Sequence, residues 1–317
     1  MDISIVIPLY NEEENVELLH EFVSKALRES GRRWELIMVD DGSSDATLAI
    51  LKKIAAEERN LKVISFRRNF GQTAAMAAGF DLAEGAVVIP MDGDLQNDPE
   101  DIPKLLEKVE EGFDVVSGWR KNRKDRFINR KLPSIIANWL ISRITGVYLH
   151  DYGCTLKAYR KEVLENINLY GEMHRFIPAL ASLNGARVTE IPVNHREREY
   201  GTSKYGISRT FKVILDLVTV KFLLSYSTKP IQIFGGLGIS SLMLGFLSFV
   251  EISVSKFVYG ADVTGNPFFL LFILFILIGI QFISMGLLGE INIRTYFESQ
   301  GKPIYVIKEI VGGEEKS

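Results

Sequence analysis

Residues 230–250 and 268–289 contain no charged side chain. They are 21 and 22 residues long, roughly 32 Å as α-helix, enough to cross a bilayer's hydrocarbon core. No other feature limits the fold so tightly. Lipid offers no partner to a backbone N–H or C=O, so such a run must be a helix that closes its own hydrogen bonds. Two buried core helices are the alternative, and two uninterrupted runs of spanning length weigh against it. Gly235, Gly236 and Gly238 permit close packing of one helix on the other. An even number of spans puts both chain ends on one side. Lys221, Lys229, Arg294, Lys302 and Lys308 flank the outer ends, whereas the connecting loop carries only Lys256. The positive-inside rule then places the large N-terminal part and the C-terminus in the cytoplasm.

The first two hundred residues read differently. Apolar runs at 3–8, 34–39, 61–66, 86–91 and 113–118 alternate with helix-period segments at 15–30, 44–59, 72–83 and 99–111. This rhythm predicts an α/β fold, a doubly wound and mainly parallel sheet. The N-terminal run has no basic flank and reads as a strand, not a signal peptide. A net charge of −3 gives no global basic field, so no nucleic-acid partner is expected. The single cysteine, Cys154, rules out an internal disulfide and reads as packing. The four histidines show no zinc-ligand spacing, so any metal should be oxygen-bound.

In doubly wound sheets ligands bind beyond the carboxyl ends of the strands. Polar motifs fall at every such end: Tyr10-Asn11-Glu12-Glu13, Asp40-Asp41-Gly42-Ser43-Ser44-Asp45, Arg67-Arg68-Asn69-Phe70-Gly71-Gln72, Asp92-Gly93-Asp94-Leu95-Gln96 and Trp119-Arg120. Each alone could be a helix cap or an acidic turn. Together on one sheet edge they point to a nucleotide site. Carboxylates at i and i+2 on extended chain face the same side, and Asp92 and Asp94 are so placed. Such a pair suits a hard divalent cation bridging to a diphosphate. Neither a Gly-x-Gly-x-x-Gly nor a P-loop pattern occurs.

These motifs, with Pro8-x-Tyr10-Asn11-Glu12, Asn69-x-Gly71-Gln72 and Arg198-x-x-Gly201-x-Ser203-Lys204-Tyr205, resemble the family 2 glycosyltransferases of GT-A fold. The likeness is to their polyprenyl-phosphate branch, the bactoprenol glucosyltransferases and dolichol-phosphate mannose synthases, and it covers essentially the whole chain. It implies a catalytic domain at 1–202, an interfacial amphipathic region at 203–228, two transmembrane helices within 229–292 and a tail with a short strand at 293–317. The implied setting is a bacterial inner membrane with the catalytic domain cytoplasmic.

The resemblance also implies roles. Pro8, Tyr10, Glu12, Asp41, Gln72 and Asp92 would bind the nucleotide, with Asp92 near ribose and sugar. Asp94 and Gln96 would ligate Mg²⁺ or Mn²⁺. Arg198, Ser203 and Lys204 would bind diphosphate or acceptor phosphate. Apart from the resemblance, the basic stretch after the fifth run offers Arg120, Arg126 and Arg130 as phosphate-binding cations, the alternative being a solvated basic loop. Asp92, Asp94 and Asp151 form the catalytic set. Asp151 stands where the family carries its catalytic aspartate, and it is either a base or acceptor-positioning residue or simply the partner of an arginine in the basic stretch 120–131. A phosphate acceptor is ionised near neutral pH, so cations matter more to it than a strong base.

Residues 203–225, with Ile207, Phe211, Ile214 and Val218 on one face, read as an interfacial helix or as an ordinary amphipathic core helix. The run 303–307 reads as a strand that joins its own sheet or a neighbouring subunit's, so a homo-oligomer is possible. The implied reaction is inverting transfer of one hexose, glucose from UDP-glucose, to undecaprenyl phosphate. Alternatives are a GDP-mannose enzyme and a non-catalytic scaffold that binds sugar nucleotides. A processive synthase is disfavoured, because Gln-x-x-Arg-Trp is absent and only two spans occur.

Overall fold

The computed structural model describes residues 1–121, 138, 141–143, 145–165, 167, 169, 173–196, 230–260, 262, 266–299 and 305–313. The chain divides into two compact units, residues 1–220 with 303–317, and residues 221–302.

The first unit is built on one eight-stranded sheet. Its middle consists of β1 (Ile3–Leu9), β2 (Trp34–Asp40), β3 (Leu61–Phe66) and β4 (Val87–Pro90), parallel in the order β3-β2-β1-β4. Strands covered on both faces need near-continuous apolar runs. Ile3, Ile5, Val6, Ile7, Leu36, Ile37, Met38 and Val39 are accordingly fully buried. The crossovers are α1 (Val16–Glu29), α2 (Thr47–Glu57) and α3 (Gln72–Leu82). In α1 the spacing of Val16, Leu19, Val23 and Leu27 gives one buried stripe. The small residues Ala74, Ala75 and Ala78 let α3 lie close to β1 and β2. A 3₁₀ turn at Pro99–Asp101, with Asp98 Oδ1 accepting from the Glu100 amide at 3.2 Å, leads into α4 (Ile102–Glu110).

Beyond β4 the structure adds what the sequence rhythm did not predict. Strand β5 (Val115–Trp119) is present, but it does not pair with β4. Strand β6 (Lys157–Arg160) lies between them, antiparallel to both. It runs into the short α5 (Lys161–Leu164), and α6 (Ile177–Leu183) precedes β7 (Val188–Pro192). β7 pairs parallel with β5. The sequence Lys-Ala-Tyr-Arg of β6 has no apolar run to announce it.

Of the tail run 303–307, residues 303 and 304 lie outside the described residues, Tyr305 and Val306 are not strand, and the C-terminal strand runs over Ile307–Gly312. It is β8, antiparallel to β3 of its own chain at the sheet's edge. Tyr305 just before it stacks on Phe66 with ring centroids 5.4 Å apart and donates to Asp81 at 2.7 Å, while Lys52 pairs with Glu309 at 2.7 Å.

The second unit holds α7 (Pro230–Phe257) and α8 (Pro267–Ser299). Within them Phe234–Phe257 and Pro267–Gly289 are long and apolar enough to cross a membrane. The helices pack closely at Gly238 and Gly279, where a Cβ on either would lie 2.8–3.0 Å from the other's carbonyl oxygen. Ser241 Oγ donates to the Phe275 carbonyl at 2.9 Å across that seam. The outward side chains are apolar, with Ile239, Phe246, Leu270 and Leu277 exposed.

Candidate active site

The loops after β1 and β2 are stitched together. Asn11 takes a left-handed φ of 51°, which a short polar side chain tolerates by bonding locally. Its Oδ1 accepts from the Ser44 amide at 2.8 Å, and its own amide donates to Ser43 Oγ at 3.0 Å. The Glu12 amide donates to Thr47 Oγ1 at 2.9 Å, and Glu13 Oε2 accepts from the Ala46 amide at 2.8 Å. Tyr10 stays 38% exposed on this rim.

Asp40 ends β2 and Asp41 follows it, and the two have different tasks. Asp40 accepts from Ser65 Oγ at 3.0 Å and the Ser43 amide at 3.1 Å. Asp41 reaches the β3–α3 loop, where its two oxygens accept from the Phe70 and Gly71 amides at 2.7 and 2.9 Å. Burial pushes the Asp41 carboxyl up to about 6; the two amides oppose this and Asp40 adds to it. Between β2 and its helix, Gly42 has φ +68°, and a Cβ there would lie 2.4 Å from the Arg68 carbonyl carbon. Only glycine meets both demands.

The Asp92–Gln96 loop packs against the end of β1. A Cβ on Gly93 would lie 2.5 Å from Leu9 Cδ2 and 3.2 Å from the Pro8 carbonyl oxygen, so the residue between the two carboxylates has to be small. Asp92 is gripped on both oxygens: Gln72 Nε2 donates to Oδ1 at 2.8 Å and Thr155 Oγ1 donates to Oδ2 at 2.7 Å. The Asp92 amide donates to Asn97 Oδ1 at 2.9 Å. Burial, then Asp94, raise the Asp92 pKa, against Thr155, Arg120 and Arg175. Asp94 Oδ1 accepts from the Gln96 amide at 3.2 Å.

Leu95, buried at the turn, sits at φ 61°. For a bulky residue this backbone costs roughly 1–2 kcal/mol, and such strain clusters at working sites. The loop is held in it by a bridge from Asn97 to His195 and by Arg196, which donates to Asp98 at 2.8 Å. Gln96 Nε2 lies 3.5 Å from both His195 Nε2 and the Arg196 carbonyl oxygen.

A third carboxylate enters from the loop before β6. Asp151 is buried and receives a forked pair from Arg120, with Nε at 2.7 Å and Nη2 at 2.9 Å. Arg120 directly follows β5, as its place in the sequence predicts. Burial of Cys154 pushes its thiol up to about 11, which leaves it packing rather than chemistry. Across the site, Thr73 Oγ1 and His174 Nδ1 share a buried hydrogen bond of 2.7 Å.

The family model described as Glycosyl transferase family 2 matches residues 4–167, more than half of the chain and all of the motif-bearing loops up to Asp151. The chain belongs to glycosyl transferase family 2. It is 45% identical to a dodecaprenyl-phosphate galacturonate synthase of Rhizobium johnstonii, over 100% of this chain and 95% of that protein. It is 41% identical to an undecaprenyl-phosphate 4-deoxy-4-formamido-L-arabinose transferase of Salmonella paratyphi B, over 99% of this chain and 95% of that one. Among solved structures, glucosyl-3-phosphoglycerate synthase from Mycobacterium tuberculosis, in complex with Mn²⁺, UDP-glucose and phosphoglyceric acid, aligns with TM-score 0.53 and 19% identity. That alignment covers 69% of this chain and 79% of the other, and it shows the shared GT-A fold.

For this family 2 enzyme the structure joins Asp92 directly to Gln72, and Asp151 to Arg120. It sets Pro8, Tyr10, Glu12, Asp41, Asp94 and Gln96 on the same strand-end rim. Arg126, Arg130, Arg198, Ser203 and Lys204, with the amphipathic segment 203–228, lie outside the described residues. Sequence reading missed Thr155, Asn97, Arg196 and Lys157. Thr155 and Asp92 are 63 residues apart, and no spacing links them. The one available signal was that Thr155 follows Asp151-Tyr152-Gly153-Cys154, already singled out for its aspartate.

Proposed function

We propose that this enzyme moves one sugar unit from a nucleoside diphosphate sugar to a polyprenyl phosphate at the cytoplasmic face of a membrane. The observation that carries this reading is the 45% identity, over the whole chain and both apolar helices, to a protein named for a polyprenyl-phosphate sugar product. A lipid-borne acceptor also gives the two apolar helices a purpose.

The chemistry follows from the rim. A phosphate oxygen of the acceptor attacks the anomeric carbon, the bond from that carbon to the diphosphate breaks, and the configuration inverts. The nucleophile is already ionised, so no strong base is needed. That suits an Asp151 whose two oxygens are engaged by Arg120: we assign it to holding the guanidinium toward the phosphates. Asp92, gripped by two neutral donors, serves ribose and sugar. Asp41 shapes the Phe70-Gly71 turn beside the base, and Tyr10, Glu12 and Pro8 flank it.

A divalent cation, Mg²⁺ or Mn²⁺, would be held by Asp94 and Gln96 and would supply Lewis-acid charge to the leaving diphosphate. The donor set fits a hard ion, being carboxylate and amide oxygen. Among the described residues no group of three or more His, Cys, Asp or Glu could hold a metal. Diphosphate and water would therefore complete the shell, as is usual for Mg²⁺.

UDP-glucose is the donor that the sequence resemblance favours, and the galacturonate relative favours UDP-galacturonate. Full-length protein in detergent, undecaprenyl phosphate, Mn²⁺ or Mg²⁺ and radiolabelled UDP-glucose, UDP-galacturonate or GDP-mannose test the reading. Label should pass into the lipid phase with one donor and not without the cation. No labelled lipid with any donor overturns the proposal. Asp94→Ala should lower turnover by about 10²–10³-fold with the melting temperature unchanged; full turnover would remove Asp94 from the metal.

A further inference from the structure

Lys157 is a charged residue where the fold has least room for one. It opens β6 opposite Ser117 of β5 and is 2% exposed. A buried ammonium persists only if its donors are used. Here Nζ donates to two carbonyls of the preceding loop, those of Cys154 and, at 3.2 Å, Tyr152. That loop carries the two side chains that grip the reaction centre from this side. Asp151 holds Arg120, and Thr155 holds Asp92. Both pinned carbonyls lie between these two side chains along the chain. An apolar residue at position 157 would leave both buried carbonyls without that donor and release the segment between Asp151 and Thr155.

We propose that Lys157 is a positioning residue for glycosyl transfer. Its ammonium pins the carbonyls of Tyr152 and Cys154, so that Asp151 and Thr155 hold Arg120 and Asp92 where the reaction uses them. Thr155 is the last link, since its hydroxyl is one of the two side-chain donors on Asp92. The proposal rests on the transfer reaction above, and it makes a further claim about how the site is kept in register.

The test uses the full chain in detergent and four variants. Lys157→Met should speed amide exchange of residues 151–156 while peptides of β1 and β2 keep their protection. It should lower kcat by about 10²-fold, the scale of a misplacement near 1 Å, with KM for the donor nearly unchanged. Lys157→Arg keeps charge and donors and should restore both. Thr155→Val should lower kcat without altering exchange, and Thr155→Ser should not lower it. Unchanged exchange in Lys157→Met, or loss of protection spread through the whole sheet, overturns the idea. So does a Thr155→Val enzyme of full kcat, which also decides the matter if Lys157→Met does not fold. The exchange measurement needs no donor. A wild type inactive with every donor would therefore sink the function reading, while the loop pinning still passes or fails on its own.

Discussion

Asp41→Asn tests the electrostatics of the rim. Asp41 is 3% exposed, and its carboxyl is raised from its ordinary 3.8 to about 6 chiefly by burial. A raised pKa means that the folded chain holds this proton more tightly than the unfolded chain does. The stabilisation linked to that proton is complete below about pH 3.8 and is lost as the pH rises through about 6. The whole shift is worth roughly 3 kcal/mol, of which about 2 kcal/mol falls between pH 4 and pH 7. Asparagine keeps the shape and cannot titrate. The stability of wild type minus that of Asp41→Asn should therefore fall by about 2 kcal/mol over that range. At this chain size that is roughly 4–8 °C in melting temperature. Thermal melts of both proteins at half-unit pH steps read it directly, and taking the difference removes the titration of every other carboxylate. Parallel curves from pH 4 to pH 7 would refute the claim that an ionised Asp41 is held at a cost.

Gly93→Ala should destabilise by about 1–3 kcal/mol through overpacking against Leu9 Cδ2 at 2.5 Å, and it should lower turnover because the carboxylate loop must shift; denaturation and turnover assays check the two effects. Asp151→Asn breaks a pair whose side chains are 12% and 5% exposed, so a loss of about 3–5 kcal/mol is expected, measured by denaturant titration; a loss below about 1 kcal/mol would mean the pair is effectively solvated. Truncation before Tyr305 uncovers the edge of β3, which now pairs with β8, and should drive aggregation in detergent, seen by size-exclusion chromatography. A monodisperse truncated protein would show that β8 is not an edge guard.

Much of the architecture could be read from the order of residues. The first four strands are apolar on both faces, and their period contrasts with that of the helices between them. Chain polarity then dictates that the loops after them share one rim. The pair Asp92 and Asp94 was legible for the same reason, since its glycine spacing is local. β6 and β7 were not legible. Lys157 and Arg160 interrupt any apolar pattern, and these strands are strands because β4 and β5 offer them partners. The apolar run at 303–307 shares only Ile307 with β8, whose extent is set by its pairing with β3.

The sequence by itself therefore determined the parallel core, the rim of polar loops and the two helices of membrane-spanning length. Each depends on a period or a run within a few turns of chain. Only the tertiary structure decided that Thr155 and Gln72 grip Asp92, that Asp151 is the partner of an arginine, one of its two readings from sequence, and that this arginine is Arg120, and that a buried lysine holds the loop between them. The Thr155–Asp92 and Asp151–Arg120 contacts join residues 63 and 31 apart through the antiparallel insertion of β6. No local pattern encodes them, because hydrogen-bond partners are chosen by position in space once the sheet has formed.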